Sequence, residues 1–356
     1  MKKMETDNNI TGVTEKRRAL DLHLKRADCG YTMLKRFKPH GEYHRQNQAC
    51  LCIDLAQTRP IPKLVTNMAF YSRKVNAYNC GIHDLNTGKG HMFMWPENVA
   101  KRGSNEVASC LYKYIETYVN PKIKELVIFS DNCAGQNKNL NITLACLRLI
   151  QKKRFSKITH IFMVAGHSYM DCDRDFGHIS RKLKGQELFG FNEYVKHVKE
   201  AKMTKKFEVY EMKKSDFKNF NSLQGHVTNR RPFEASFCEG RIFVYTDKYQ
   251  DGYYMKNNYG MWMGLLNAEK VDLRKGDLRK NPPPGPPQLA SVPLEQLYHS
   301  DIKLSDNKCV DIQKLLRVIP AENQGFLKKV LVGQQGKSLV NIEPGDYQDY
   351  HGNDIE

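Results

Sequence analysis

The sequence predicts a mixed α/β domain, a sheet of parallel and antiparallel strands covered by helices. Three observations carry that expectation. Short apolar runs at Ala49–Leu55, Leu126–Phe129 and Ile158–Ala165 have strand length and are bounded by turn-forming residues. Amphipathic stretches from Ser104 to Val119 and over residues 140–153 lie between them, as helical crossovers between parallel strands would. The 356 residues are enough for one core with substantial additions.

Residues 1–47 form a basic N-terminal extension, in which Leu20, Leu22, Leu24 and Leu34 mark an irregular, partly helical approach to the core. The core itself is placed at residues 48–204. Its first strand, Ala49–Leu55, ends beside a carboxylate, Asp54, and is followed by the break Pro60-Ile-Pro62. Residues 68–84 and 91–95 offer two more strands around the turn cluster Asn86–Gly90, which reads as a hairpin. Ser104 is positioned to cap a helix through Val119. Leu126–Phe129 gives a fourth strand that stops at Ser130-Asp131-Asn132, and Ile158–Ala165 a fifth that stops at Gly166-His167 before a helix over residues 171–183. The expected core is therefore a five-stranded mixed sheet: a three-stranded antiparallel meander feeding two further strands through helices. Beyond it come a β-rich accessory segment (205–280), a stiff linker (281–292) containing Pro282–Pro287, a small helical region (293–333) and a polar tail (334–356) expected to be disordered.

The formal net charge is +17, from 56 basic and 39 acidic residues, which favours a polyanionic partner because each neutralised phosphate releases condensed counterions. Nucleic acid is the expected one. No apolar run approaches the roughly 18 residues of a spanning helix, and residues 1–10 lack the apolar region of a secretory signal. A nuclear or cytoplasmic protein, not a secreted or membrane one, is expected. The 10 cysteines include no C-x-x-C pair, so a zinc knuckle is not supported. His40, His44, Cys50 and Cys52 are close in sequence, but Cys50 and Cys52 fit better as small core residues on one strand face. The glycine-rich phosphate loop of nucleotide-driven motors is absent.

The chemistry-bearing residues are acids at element ends. Asp54 closes the first strand, Glu106 opens the first core helix, Asp131 closes the fourth strand, and Asp171, Asp173 and Asp175 follow the fifth. If the first and fourth strands are neighbours, Asp54 and Asp131 meet. Paired carboxylates repel unless a cation lies between them, and a hard divalent ion with oxygen ligands meets that need. His167, Asp171 and Asp175 share a face if the last helix already begins near Ser168, with Asp173 turned elsewhere; if it begins later, Asp171 becomes its cap. Each acid also has a structural reading, since Asp is common at strand ends and caps and Glu in first turns.

Asp after the first strand, Glu in the first helix, Asp after the fourth strand and His-x-x-x-Asp before a later helix resemble the ribonuclease H-like superfamily of transposases, integrases and resolvases. More narrowly, Arg102–Glu106, Ser130-Asp-Asn-Cys-Ala-Gly-Gln-Asn-Lys-Asn139 and Gly166-His-Ser-Tyr-Met-Asp-Cys-Asp-Arg-Asp-Phe-Gly177 resemble an uncharacterised transposon-associated animal family over residues 45–330. The resemblance implies a ribonuclease H-like sheet and a centre of two Mg²⁺ or Mn²⁺ ions on Asp54, Glu106, Asp131 and Asp171 or Asp175. His167 would move a proton or bind metal.

Around this centre, Asn132, Gln136, Asn137 and Lys138 could donate to phosphates or base edges, or could cap the next helix and hold Asp131. Lys152, Lys153, Arg154, Arg181 and Lys182 are candidate backbone contacts, although most basic runs are merely solvated faces. The expected function is metal-dependent cleavage or strand transfer on nucleic acid, DNA rather than RNA, in a protein of mobile-element origin. Homo-oligomerisation is left open. The alternative is an inactive binding module for nucleic acid or protein on the same fold.

Overall fold

The computed structural model describes residues 2–228, 237–259, 265, 267–278, 280 and 284–333, with backbone alone for residues 2–13. Among these residues the strands are β1 (Gln48–Leu55), β2 (Arg59–Ile61), β3 (Val75–Asp84), β4 (Lys89–Pro96), β5 (Glu125–Ser130), β6 (Lys157–Phe162), β7 (Glu208–Glu211), β8 (Ile242–Thr246), β9 (Tyr249–Lys256) and β10 (Glu269–Asp272). The helices are α1 (Lys2–Phe37), α2 (Asn67–Tyr71), α3 (Ser104–Tyr118), α4 (Leu140–Gln151), α5 (Asp171–Lys182), α6 (Phe191–Lys199), α7 (Asp306–Leu316) and α8 (Gly325–Val332).

The strands join in a single sheet of ten, ordered β10-β9-β8-β6-β5-β1-β3-β4-β7, with β2 paired to β3 off that path. The mixed α/β class is as expected, but the sheet has ten strands rather than five. The correction has a simple cause. Residues 205–280 extend the sheet at both edges: β7 runs parallel to β4, and β8 pairs antiparallel with β6. Short alternating segments of this kind bury one face and need a ladder partner, which the unpaired sheet edges supply.

Within the sheet β1 is central. It is antiparallel to β3 on one side and parallel to β5 on the other, and β5 is parallel to β6. Burial on both faces accounts for its nearly continuous apolar run. Leu51, Ile53 and Leu55 pack with Val107 and Leu111 of α3 and Leu144 and Leu147 of α4. The alternate residues Cys50 and Cys52, with Val127 and Phe129 of β5, meet Leu34 and Phe37 of α1 and Cys172 of α5 on the other face. Period-two alternation thus sends successive side chains into two cores, and Cys50 and Cys52 are core residues.

Several boundaries differ locally from the sequence reading. Residues 67–71 form a short helix instead of strand, because Thr66 accepts from the Ala69 N–H and caps it. Gly103, not Ser104, precedes α3; the Ser104 hydroxyl instead accepts from Asn141 Nδ2 at 2.9 Å, joining α3 to α4. The C-terminal region docks on the core: Ile312, Ile319, Leu327 and Val330 enclose Val75 at the start of β3. The tail 334–356 and residues 281–283 of the linker lie outside the described residues. No described helix is long and apolar enough to cross a membrane.

Gly90 on β4 lies opposite His83 of β3, and a Cβ there would run into the buried Asp175 carboxylate and the Phe207 ring. Gly90→Ala is therefore expected to destabilise the fold by about 1–3 kcal/mol, the usual penalty for overpacking a filled core, read from denaturant unfolding midpoints.

Candidate functional site

The register of β1 on β5 places the central acids. Ile53 pairs with Ser130 across these parallel strands, so Asp54 and Asp131 follow side by side at the carboxyl ends. The same alternation that puts Cys52 and Phe129 in one core points both acids to that face, which α5 covers. In open α/β sheets this end of parallel strands is where ligands collect.

Their electrostatics follow from the placement. Asp54 is partly buried, and its carboxyl is pushed up to about 7, first by burial and second by the charge of Asp131. Asp173 adds to the rise; the Leu55 N–H, which donates to Asp54 Oδ1 at 2.8 Å, and Arg102 oppose it. Asp131 accepts from the Cys133 N–H at 3.1 Å and from Asn137 Nδ2 at 2.7 Å, two bonds that fix its orientation. Asp173 is also raised, by burial above all and then by Asp131, against the Met170 N–H that donates to its Oδ2 at 2.8 Å. Three carboxylates thus act on one another.

Asp173 was expected to turn elsewhere, and the start of α5 explains why it does not. The helix begins at Asp171 with Met170 as its cap, so His167 lies outside it and shares no helical face with Asp171 and Asp175. Those two acids, four residues apart, point inward to basic partners. Asp171 is paired with Lys38, just after α1, at 2.8 Å and with Arg174. Asp175 meets His83 Nδ1 at 2.6 Å and Lys202 at 3.4 Å. His167 sits in a turn, its N–H donating to Val164 O at 2.9 Å and its ring 5.1 Å from that of His23. The available sequence signal was Asp173 itself, an acid three residues after Met170, placed to accept from the Met170 N–H at the start of the helix.

Glu106 rides on α3, the helix of the opposite sheet face. It is buried, and the Tyr298 hydroxyl from the C-terminal region donates to it. The amide-rich loop is largely occupied with structure: Asn137 holds Asp131, Asn139 caps α4 through the Ile142 N–H at 3.1 Å, and Lys138 donates to the carbonyls of Cys238 and Gly240, each at 2.7 Å. Burial pulls the Lys138 ammonium down to about 8. Asn132 and Gln136 stay partly exposed beside Asp131. Lys152, Lys153 and Arg154 follow α4 and precede β6, which puts them at the opposite end of the sheet from the acids. Arg154 there donates to the Val119 and Ile123 carbonyls at the end of α3, both at 2.9 Å. Arg181 and Lys182 are exposed on the last turn of α5.

Asp54, Asp131 and Asp173 suit a hard divalent cation in kind, since they offer carboxylate oxygens whose mutual repulsion a cation would relieve. They are not gathered into a closed cage: among the described residues no group of three His, Cys, Asp or Glu side chains is assembled to hold a metal ion. The cleft on the other side of Asp54 has a volume of about 260 Å³ and includes Asp173, Arg59 and Asn79 in its walls.

A raised carboxyl has a defined consequence for stability. Between the unfolded value near 3.9 and the folded value of about 7, the native state holds more protons than the unfolded chain, so this group lowers stability as pH rises through that window. In metal-free protein Asp54→Asn is expected to be more stable than wild type at pH 8, by about 1–4 kcal/mol, and equal to it at pH 4 and below. Unfolding curves across that range check it; parallel pH profiles for the two proteins would refute it.

Residues 72–237 are similar to the family described as Domain of unknown function (DUF7869), a span that takes in Glu106, Asp131, His167 and Asp171–Asp175 and leaves Asp54 outside. No curated protein and no solved structure matches the chain.

Proposed function

We propose that this chain carries out metal-dependent phosphodiester chemistry on nucleic acid, as a nuclease or strand transferase of ribonuclease H-like type. The observation that carries the reading is the Asp54–Asp131 pair on adjacent parallel strand ends, with the charged form of Asp54 disfavoured by burial and by its neighbour. Perturbed carboxyls in a cleft are a mark of functional sites, because structure alone gains nothing from their repulsion. The central strand order β4-β3-β1-β5-β6, a meander followed by two parallel strands, supports the ribonuclease H-like reading of the core.

In this reading Asp54 and Asp131 hold Mg²⁺ or Mn²⁺, with Asp173 as the third carboxylate. The bound ions would stabilise the charge developing on the attacking and leaving oxygens. Asn137 and the Cys133 N–H keep Asp131 oriented, a supporting role that ligating carboxylates need. Asp171 and Asp175, each held by two basic partners, fix α5 and so fix Asp173. The excess of basic over acidic residues suits a polyanionic substrate, with DNA the expected form.

One observation favours the rival, an inactive binding module on the same fold: Glu106 is closed off by Tyr298 instead of facing the acid pair. Incubation with labelled single- and double-stranded DNA and RNA in Mg²⁺ or Mn²⁺ separates the two. Wild type is expected to cleave or join at least one substrate, and chelation to abolish it. Asp131→Asn is expected to lower the rate at least about a hundredfold, since even changes to groups that merely orient a metal ligand cost about 10–100-fold. Equal rates in wild type and variant, or no reaction in either, would defeat the catalytic reading.

A further inference from the structure

The cleft beside Asp54 holds polar groups that the acid pair does not use. Arg59 on β2, Asn79 on β3, Phe176 and Ser180 on α5 and Tyr194 on α6 line it together with Asp54. Asn79 is 2% exposed. Its Nδ2 lies 3.5 Å from the Met92 sulfur and its side chain also hydrogen-bonds Tyr194, while its Oδ1 has no partner. The buried Nε of Arg59 has none either, and among the described residues Arg59 forms no ion pair with a carboxylate. Between them lies the Tyr194 hydroxyl, on which both Arg59 and Asn79 act.

Buried polar atoms without partners are uncommon in native proteins and call for a ligand or an ordered water. Here the side chains that carry an unfilled amide acceptor and an unfilled guanidinium N–H line one cavity with an aromatic wall. A guanidinium without a carboxylate selects an anionic, oxygen-rich group such as phosphate. An amide pairs with the edge of a nucleobase, and an aromatic ring offers a face for stacking. A volume of about 260 Å³ lies at the small end of ligand clefts, the scale of one nucleotide unit.

We propose that this cleft seats a single unpaired nucleotide next to the acid pair, with its phosphate on Arg59, its base edge on Asn79 and its base against Phe176. The inference rests on the phosphodiester reading above and names its substrate class: a strand with at least one unpaired or extruded nucleotide at the reacting position. Extrusion is the general route by which a narrow pocket reaches one nucleotide of a duplex.

Titration calorimetry tests it with nucleoside 5′-monophosphates, the matching unphosphorylated nucleosides and inorganic phosphate, each with chelator and with Mg²⁺. Wild type is expected to bind at least one monophosphate, and to bind it at least about tenfold more tightly than phosphate or nucleoside, since either half lacks one set of partners. Arg59→Gln and Asn79→Leu are each expected to weaken that binding at least about tenfold. Arg59→Lys, which keeps the charge but not the fork, should fall between, and it carries the test if Arg59→Gln does not fold. With chelator present, Asp131→Asn is expected to bind monophosphates as wild type does, while it loses cleavage in Mg²⁺. Nucleotide binding without cleavage by wild type would therefore overturn the catalytic reading alone. No monophosphate binding by wild type, phosphate binding equal to that of nucleotides, or undiminished binding in Arg59→Gln would overturn the pocket.

Discussion

Parallel pairing of β1 with β5 forces two carboxylates together, and much of the surrounding structure can be read as a response to that contact. The register that aligns Ile53 with Ser130 leaves no freedom over where the next residues go. Shifting β5 by one residue would separate the acids, but it would also turn Leu126 and Ile128 out of one core and Val127 and Phe129 out of the other. Packing on two faces therefore enforces an arrangement that electrostatics alone would reject. The repulsion is retained as a raised Asp54 carboxyl.

Helix α5 shows how one short segment divides its acids between structure and site. Asp171 and Asp175 turn inward and each finds two basic partners: Lys38 from outside the helix and Arg174 within it for the first, His83 and Lys202 from elsewhere in the fold for the second. Buried ion pairs of this kind contribute little net stability but fix orientation, because removing either partner leaves an uncompensated charge. Cys172 packs between them against the Cys52 and Gly81 carbonyls. With three of its first five residues committed, the helix has one rotation available, and that rotation brings Asp173 toward Asp131 and Asp54.

The sheet core was legible in the sequence because its signals are strong and local. Ala49–Leu55 and Ile158–Ala165 are too apolar for an exposed segment, and Asn86–Gly90 names its own turn. Asp54 and Asp131 were legible as strand-end acids for the same reason. What escaped depended on choices a few residues wide. A start for α5 at Asp171 instead of near Ser168 leaves His167 outside the helix, and Asp173, not Asp171 or Asp175, is the acid that acts on the pair, although both starts fit the local composition. The edge strands of residues 205–280 were short enough to pass as a separate segment, since the ladders that recruit them come from residues between 81 and 117 positions away. Lys138 looked like a phosphate contact because nothing local announces that the Cys238 and Gly240 carbonyls enclose it.

The same distance effect governs the cleft. Its outer wall is β2 paired to β3, a three-residue strand that could not persist alone. It is held from behind by the Lys63 bridge to Leu188 and by the C-terminal helices closing on Val75. Lys308 reaches Glu97 at 2.6 Å, and Asp311 binds Arg73 at 3.0 Å on the segment leading into β3. Tyr298 of the same region holds Glu106. The C-terminal region therefore does two things at once: it braces the wall that carries Arg59 and Asn79, and it occupies the acid on the far face of the sheet. A segment that looked like an appendage in sequence is thus part of what shapes the site, because a narrow strand can hold a part-buried guanidinium in place only when something else fixes its backbone.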